Sequence, residues 1–201
     1  MKNKILALLI IPMLFLYTAC KKNTTVDPVH IEIESEGLFL PIKVNSNWTY
    51  DTGVIKSVVT ITSNYKSVFG KQYNEYTMVY NTVISKAYYA YSKKEYTSLY
   101  TDTAGSQEIT YLKESPVVGQ KWNDTITVAS SPVIYKYEVL ETNANVNNGT
   151  VSFSNVVHVK LSIGATYTND AYYAKSVGLV KSVTNNNAVI ITSLLKSYTI
   201  L

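Results

Sequence analysis

Arginine is missing altogether: the 18 basic residues of this 201-residue chain are all lysine, set against 14 acids. Without the planar guanidinium fork that grips phosphates and base edges, and with no basic stripe interleaved with aromatics along the sequence, nucleic acid is not an expected partner. Cysteine occurs once, at Cys20, which excludes a disulfide framework and a thiolate metal cluster. There is no G-x-S-x-G elbow, H-E-x-x-H pair, P-loop, Gly-rich dinucleotide turn or calcium-loop spacing. Of the two histidines, His30 falls in a polar N-terminal stretch and His158 on the polar side of a strand-like run beside Lys160, where solvent is the expected neighbour. The expected catalytic set is therefore empty, with no metal and no cofactor. Paired carboxylates assembled by the fold stay open, because such acids need not be close in sequence.

What is present begins at the N-terminus. Lys2 and Lys4 precede an apolar run from Ile5 to Leu16, then Tyr17-Thr18-Ala19 and Cys20. A cationic start, an apolar segment short for a bilayer span and a small residue before the cut describe a signal peptide over residues 1–19. Leu16-Tyr17-Thr18-Ala19-Cys20 resembles the lipobox of bacterial lipoproteins, which implies acylation of Cys20 and a membrane partner through an N-terminal lipid anchor. Each buried methylene is worth about 0.8 kcal/mol, so several acyl chains together hold a protein at a membrane durably. Removing residues 1–19 leaves 182 residues and 16 lysines against 14 acids, a balance that predicts no strong partner of either sign. Residues 20–37 then read as the lipidated cysteine and a flexible tether, and residues 38–201 as a single domain. Lys21, Lys22 and Asn23 lack the acidic pair that resembles a surface-export signal, so the expected place is the periplasmic face of the outer membrane.

After Gly37 the chain turns to strand formers, with 18 tyrosines in all. Apolar residues fall at every second place over Ile55 to Ser63, Tyr73 to Thr82 and Val151 to Ile163. In the last, Val157, Val159, Leu161 and Ile163 share one face. Turn residues recur at Phe69-Gly70-Lys71, Ala104-Gly105-Ser106, Ser130-Ser131-Pro132, Asn147-Asn148-Gly149 and Asn185-Asn186-Asn187. Strands at this spacing without helices between them predict an all-β, antiparallel meander of ten to twelve strands, preceded by the signal-peptide helix and the tether. That number curls one sheet strongly, into a half-barrel or open barrel, or folds it into a sandwich.

Three segments carry a resemblance: Phe39-Leu40-Pro41-Ile42-Lys43-Val44-Asn45-Ser46-Asn47-Trp48-Thr49-Tyr50, Pro116-Val117-Val118-Gly119-Gln120-Lys121-Trp122, and Tyr172-Tyr173-Ala174-Lys175-Ser176-Val177-Gly178-Leu179-Val180-Lys181. In order and spacing they resemble the TapB-like family of Bacteroidota envelope lipoproteins. The resemblance implies a strongly curved antiparallel β domain on a lipid tether, with a biochemical role largely unassigned. Asn45 stands where that family usually has glycine.

Gly178, inside a strand-like run, marks a bulge or a close backbone approach. Trp48 and Trp122 read most simply as core anchors, and with Tyr89 and Tyr91 they are the candidates for stacking on a ligand. Tyr89 and Tyr91 share one side of their strand and Tyr88 takes the other. Asp102-Thr103-Ala104 and Asp124-Thr125-Ile126 resemble the O-glycosylation sites of Bacteroidota at Thr103 and Thr125. The leading expectation is a non-enzymatic binding or interaction module for a hydrophobic ligand. A glycan-binding or glycan-active protein and a structural accessory subunit are the alternatives, and a hollow or packed concave face separates them.

Overall fold

The computed structural model describes residues 37–201 apart from residue 104. The signal peptide, Cys20, His30 and the tether before Gly37 lie outside the described residues.

Twelve strands follow one another: β1 (Asn47–Asp51), β2 (Lys56–Val68), β3 (Lys71–Tyr80), β4 (Val83–Ser92), β5 (Glu95–Asp102), β6 (Gly105–Lys113), β7 (Lys121–Val128), β8 (Ser131–Asn147), β9 (Ser152–Ile163), β10 (Tyr167–Ala174), β11 (Gly178–Asn186) and β12 (Val189–Thr199). No helix interrupts them among the described residues. Every pairing is antiparallel, in the order β6-β5-β4-β3-β2-β1-β12-β11-β10-β9-β8-β7. First and last strands pair in the middle of the sheet, so the free edges are β6 and β7, consecutive in the chain. The sheet curls until these edges face each other, giving a nearly closed barrel.

Side chains rather than a backbone ladder bridge the two edges. The Trp122 indole N–H donates to the Thr110 carbonyl (2.7 Å) and the Thr110 N–H to Asp124 Oδ2 (2.7 Å). Gln107 accepts from the Thr127 N–H (2.6 Å) and donates to the Thr127 carbonyl (2.8 Å). Unpaired strand edges are sticky, and this seam satisfies them internally.

A barrel of about eight strands is just wide enough for its own side chains to fill, so twelve strands leave space that something else must occupy. Part is taken by residues Leu38–Pro41, which cross one end. The Phe39 N–H donates to the Tyr96 hydroxyl (2.9 Å), Tyr76 donates to the Pro41 carbonyl (2.8 Å), and Leu38 accepts from the Ser176 N–H (2.7 Å). The far end of the β8–β9 hairpin folds over the same mouth, where Ala144, Val146, Phe153 and Val156 join Trp48, Ile61, Tyr76 and Leu195 in one buried cluster. Asn148 caps it by donating to the Leu195 carbonyl. Turns leading from an even-numbered strand to the next lie at this closed end; those from an odd-numbered strand lie at the other.

The β2–β3 hairpin bends outward, packing Tyr73 and Val68 on Ala90 and Leu99 of the outer face. Lys71 ties this layer to Glu108 (2.8 Å), as does the Tyr73 hydroxyl.

Candidate functional site

The three sequence segments set apart above meet at the closed end. Asn45 takes the left-handed conformation (φ 69°) that glycine would supply, and Ser46 closes the turn onto Lys43 (3.1 Å). That turn delivers Trp48, 3% exposed, against Val177, whose carbonyl accepts the indole N–H at 2.6 Å. Gly178 is required by its backbone and not by crowding: φ is +102°, whereas a Cβ there would meet Pro41 Cδ at 3.6 Å and the Phe39 carbonyl and Trp48 Nε1 at 3.7 Å, ordinary contact distances. The register of β10 against β11 shifts beside it. From the middle segment, Gly119 and Gln120 exchange backbone hydrogen bonds with Val139. An open cleft of about 460 Å³ lies where the segments join, lined by Phe39, Glu114, Pro116, Asn155, Val157 and Lys175.

Toward the open end the interior differs. Cross-strand register fixes which residues point inward: Tyr50 opposes Ser57, Met78 opposes Ser85, Tyr89 opposes Ser98, and Ser193 and Ala171 both oppose Ser182. Small residues thus sit at inward positions of β2, β4, β11 and β12, where Ser57, Ala87, Ser182 and Ser193 stay half-buried. Four tyrosines from four strands form the floor: Tyr50, Tyr89, Tyr111 and Tyr173. Tyr89 and Tyr111 meet edge to face (5.6 Å between centroids) and Tyr111 meets Tyr173 at 6.1 Å. Tyr50 donates to the Leu179 carbonyl (2.9 Å), whereas the buried Tyr111 hydroxyl has no partner among the described residues. Aliphatic Val83, Val189 and Ile191 ring the mouth, each more than 40% exposed.

Lysines fall on the outward phase of their strands, and so do the acids apart from two. Asp102, half-buried at the end of β5, shares the phase of Ser98 and Tyr100, and Asp124 lies in the seam, where burial pushes its carboxyl up against the pull of the Thr110 N–H. Burial raises every floor phenol, Tyr89 to about 12, and neighbouring phenols add to the rise at Tyr50, Tyr111 and Tyr173. All four stay protonated and neutral at physiological pH.

Of the four stacking candidates, only Tyr89 faces the lumen floor. Trp48 lies in the core with Tyr76 stacked on it (6.2 Å), and Trp122 stacks flat on Tyr137 (5.1 Å) with its N–H committed to the seam. Tyr91 packs on Tyr96 toward the closed end. Thr103 and Thr125 are exposed. His158 departs from the solvated position read from the sequence: it is 7% exposed, stacked on Tyr172 (4.2 Å) with Asp170 at 2.8 Å and Glu141 at 3.4 Å. A wide polar neighbour on the next strand covers it, which alternation within one strand does not reveal. Both ring nitrogens are occupied by carboxylates, so the histidine ties β8, β9 and β10 together.

No family model matches the chain, and no curated protein does either. Neither comparison supports the TapB-like resemblance, which rests on the three segments alone. Two solved structures share the fold. One is a candidate lipoprotein from Parabacteroides distasonis, 13% identical with a TM-score of 0.54, the match covering 83% of this chain and 100% of that one. The other is a candidate exported protein with a YmcC-like fold from Bacteroides fragilis, 12% identical with a TM-score of 0.52, covering 81% and 99%. At these identities the likeness is one of architecture.

Proposed function

We propose that this chain is a lipid-anchored protein of the bacterial cell envelope, held by Cys20 at the periplasmic face of the outer membrane, which binds a ligand and does not transform one. The ligand site is the open lumen, and its occupant is a neutral hydrophobic or amphipathic molecule. The observation that carries the reading is the pairing of small inward residues with a floor of neutral phenols, in a space with no inward lysine and with acids only at Asp124 in the seam and Asp102 at the end of β5. Walls that hold no cation favour a neutral ligand over an anion, which would lose its hydration without gaining a counter-ion. Rings and the aliphatic mouth suit an apolar body, and the unpartnered Tyr111 hydroxyl suits a single polar group on it. The signal segment and the shared fold with a candidate lipoprotein and a candidate exported protein support the envelope assignment. Serine-rich walls favour a second reading, a glycan terminus stacked on Tyr89.

The test is binding of the neutral dye N-phenylnaphthylamine by wild type and by Ser182→Trp, which fills the lumen from β11. Saturable fluorescence enhancement in wild type, lost in the folded variant, is expected. Equal enhancement in both, or none in wild type, would overturn the reading. A neutral oligosaccharide that displaces the dye would select the second one.

A further inference from the structure

Lysines scattered along the sequence are gathered by the meander at one end of the barrel. The coil before β1 and the even-to-odd turns contribute Lys43, Lys93, Lys94 and Lys175, and the strand ends beside them Lys121 of β7 and Lys196 of β12, all exposed. Lys121 pairs with Glu138 (3.3 Å), while the other five make no ion pair among the described residues. The acids beside them are fewer: Glu95 pairs with Lys113 (3.4 Å) and Glu141 lies 3.4 Å from His158, leaving Glu114. At the open end the turns hold Asp51, Lys56 and Asp102 and are otherwise uncharged. The domain is thus electrically lopsided along its axis although its total charge is small.

The cationic end is also the end from which the tether departs. Gly37 donates to Ser176 Oγ (2.8 Å) in the β10–β11 turn, next to Lys175. Lys21 and Lys22 follow directly after Cys20 at the other end of the same segment.

We propose that the closed end docks on an anionic lipid bilayer, the same one that holds the anchor, and so points the lumen mouth away from that membrane. The proposal rests on the lipid-anchor reading above. An anchored domain meets the surface at a high local concentration, so modest attraction suffices to orient it. Each lysine near a surface of anionic lipid contributes on the order of fivefold in partitioning, and the attraction fades beyond a Debye length. Five lysines without an ion pair on one end, against two acids and one lysine at the turns of the other, decide which way the barrel stands.

The experiment uses the full lipidated protein in vesicles whose phosphatidylcholine headgroups carry a spin label that quenches fluorescence only at close range. Acylation of Cys20 leaves a single introduced thiol for a dye, placed by Val118→Cys at the closed end or Val54→Cys at the open end; both positions are well exposed. On vesicles containing about 30 mol % phosphatidylglycerol, the closed-end dye should be quenched at least about threefold more than the open-end dye. Half-molar salt, or Lys93→Gln with Lys94→Gln and Lys175→Gln, should bring the two toward parity. Equal quenching of both dyes on anionic vesicles, or the same bias on pure phosphatidylcholine, would overturn the proposal. A chain whose intact mass shows no acyl groups on Cys20 overturns the anchor reading instead, and the two failures are told apart before any vesicle is made.

Discussion

Glu75 offers the sharpest check on how the barrel is held. Its side chain is 4% exposed on the outer face of β3, yet it is surrounded by donors: Thr62 (3.0 Å) and Asn64 (3.1 Å) on one oxygen, Lys86 (3.0 Å) and Tyr88 (2.9 Å) on the other. Burial alone would push the carboxyl up. The donors from Asn64, Lys86, Tyr88 and Thr62 outweigh it and hold the carboxyl below its usual range. Glu75→Gln keeps one acceptor for Thr62 and Asn64 but turns an N–H₂ toward Lys86 and Tyr88. Lys86 is half exposed and regains water, so its share is at most about 1 kcal/mol. The Tyr88 bond to a charged acceptor is worth about 1.5–3 kcal/mol, which brings the cost to about 2–3 kcal/mol at neutral pH. For a domain of this size that lowers Tm by roughly 5–10 °C.

The pH dependence follows from the direction of the shift. A carboxyl whose folded pKa lies below its unfolded value contributes stability that is complete above the unfolded value and is lost as pH falls through the folded one. The gap between wild type and Glu75→Gln should therefore be widest at neutral pH and close progressively once pH drops below about 4.3, the ordinary glutamate value. Urea unfolding followed by tryptophan fluorescence at pH 7 and pH 3 measures both. A variant within about 0.5 kcal/mol of wild type at pH 7, or a gap equally wide at pH 3, would refute the four-donor account.

Asp124→Asn should behave in the opposite sense. Because burial raises the wild-type carboxyl, wild type gains stability as pH falls through its folded pKa, and the neutral amide should match or exceed it at pH 7; the same urea titrations read the sign. Trp122→Phe removes the indole bond to Thr110 and should cost about 1–2 kcal/mol, with faster amide hydrogen exchange confined to β6 and β7. Phe39→Ala empties a position 2% exposed against Tyr96 and should cost about 3–5 kcal/mol by thermal unfolding.

Much of the architecture was legible along the chain. Period-two patterning over Val151 to Ile163 and turn residues such as Phe69-Gly70 and Asn147-Asn148-Gly149 announce an antiparallel meander of the size observed. Other turns were not announced, because lysine rarely marks one: Lys93 and Lys94 both adopt positive φ (53° and 66°) between β4 and β5, where the tight hairpin leaves no alternative. The lumen was half legible. Alternation puts Tyr89 opposite Tyr88, but the convergence of Tyr50, Tyr89, Tyr111 and Tyr173 depends on registers that pair residues more than a hundred positions apart. The gathering of lysines was invisible for the same reason: residues from 43 to 196 become neighbours only when every second turn is brought to one end. Trp48 and Trp122 show the converse, since aromatic identity alone does not say whether an indole N–H has a backbone carbonyl waiting for it.

The crossing segment Leu38–Pro41 has a mechanical consequence. It runs beneath the barrel mouth and is gripped by Ser176, Tyr96 and Tyr76 before the chain reaches β1, a strand flanked on both sides. Any tug arriving through residue 37 is therefore spread over two separate strands, the β10–β11 turn and a buried phenylalanine at once, instead of unzipping an edge. A domain suspended from a moving surface by that stretch would yield its leash long before it yielded its fold.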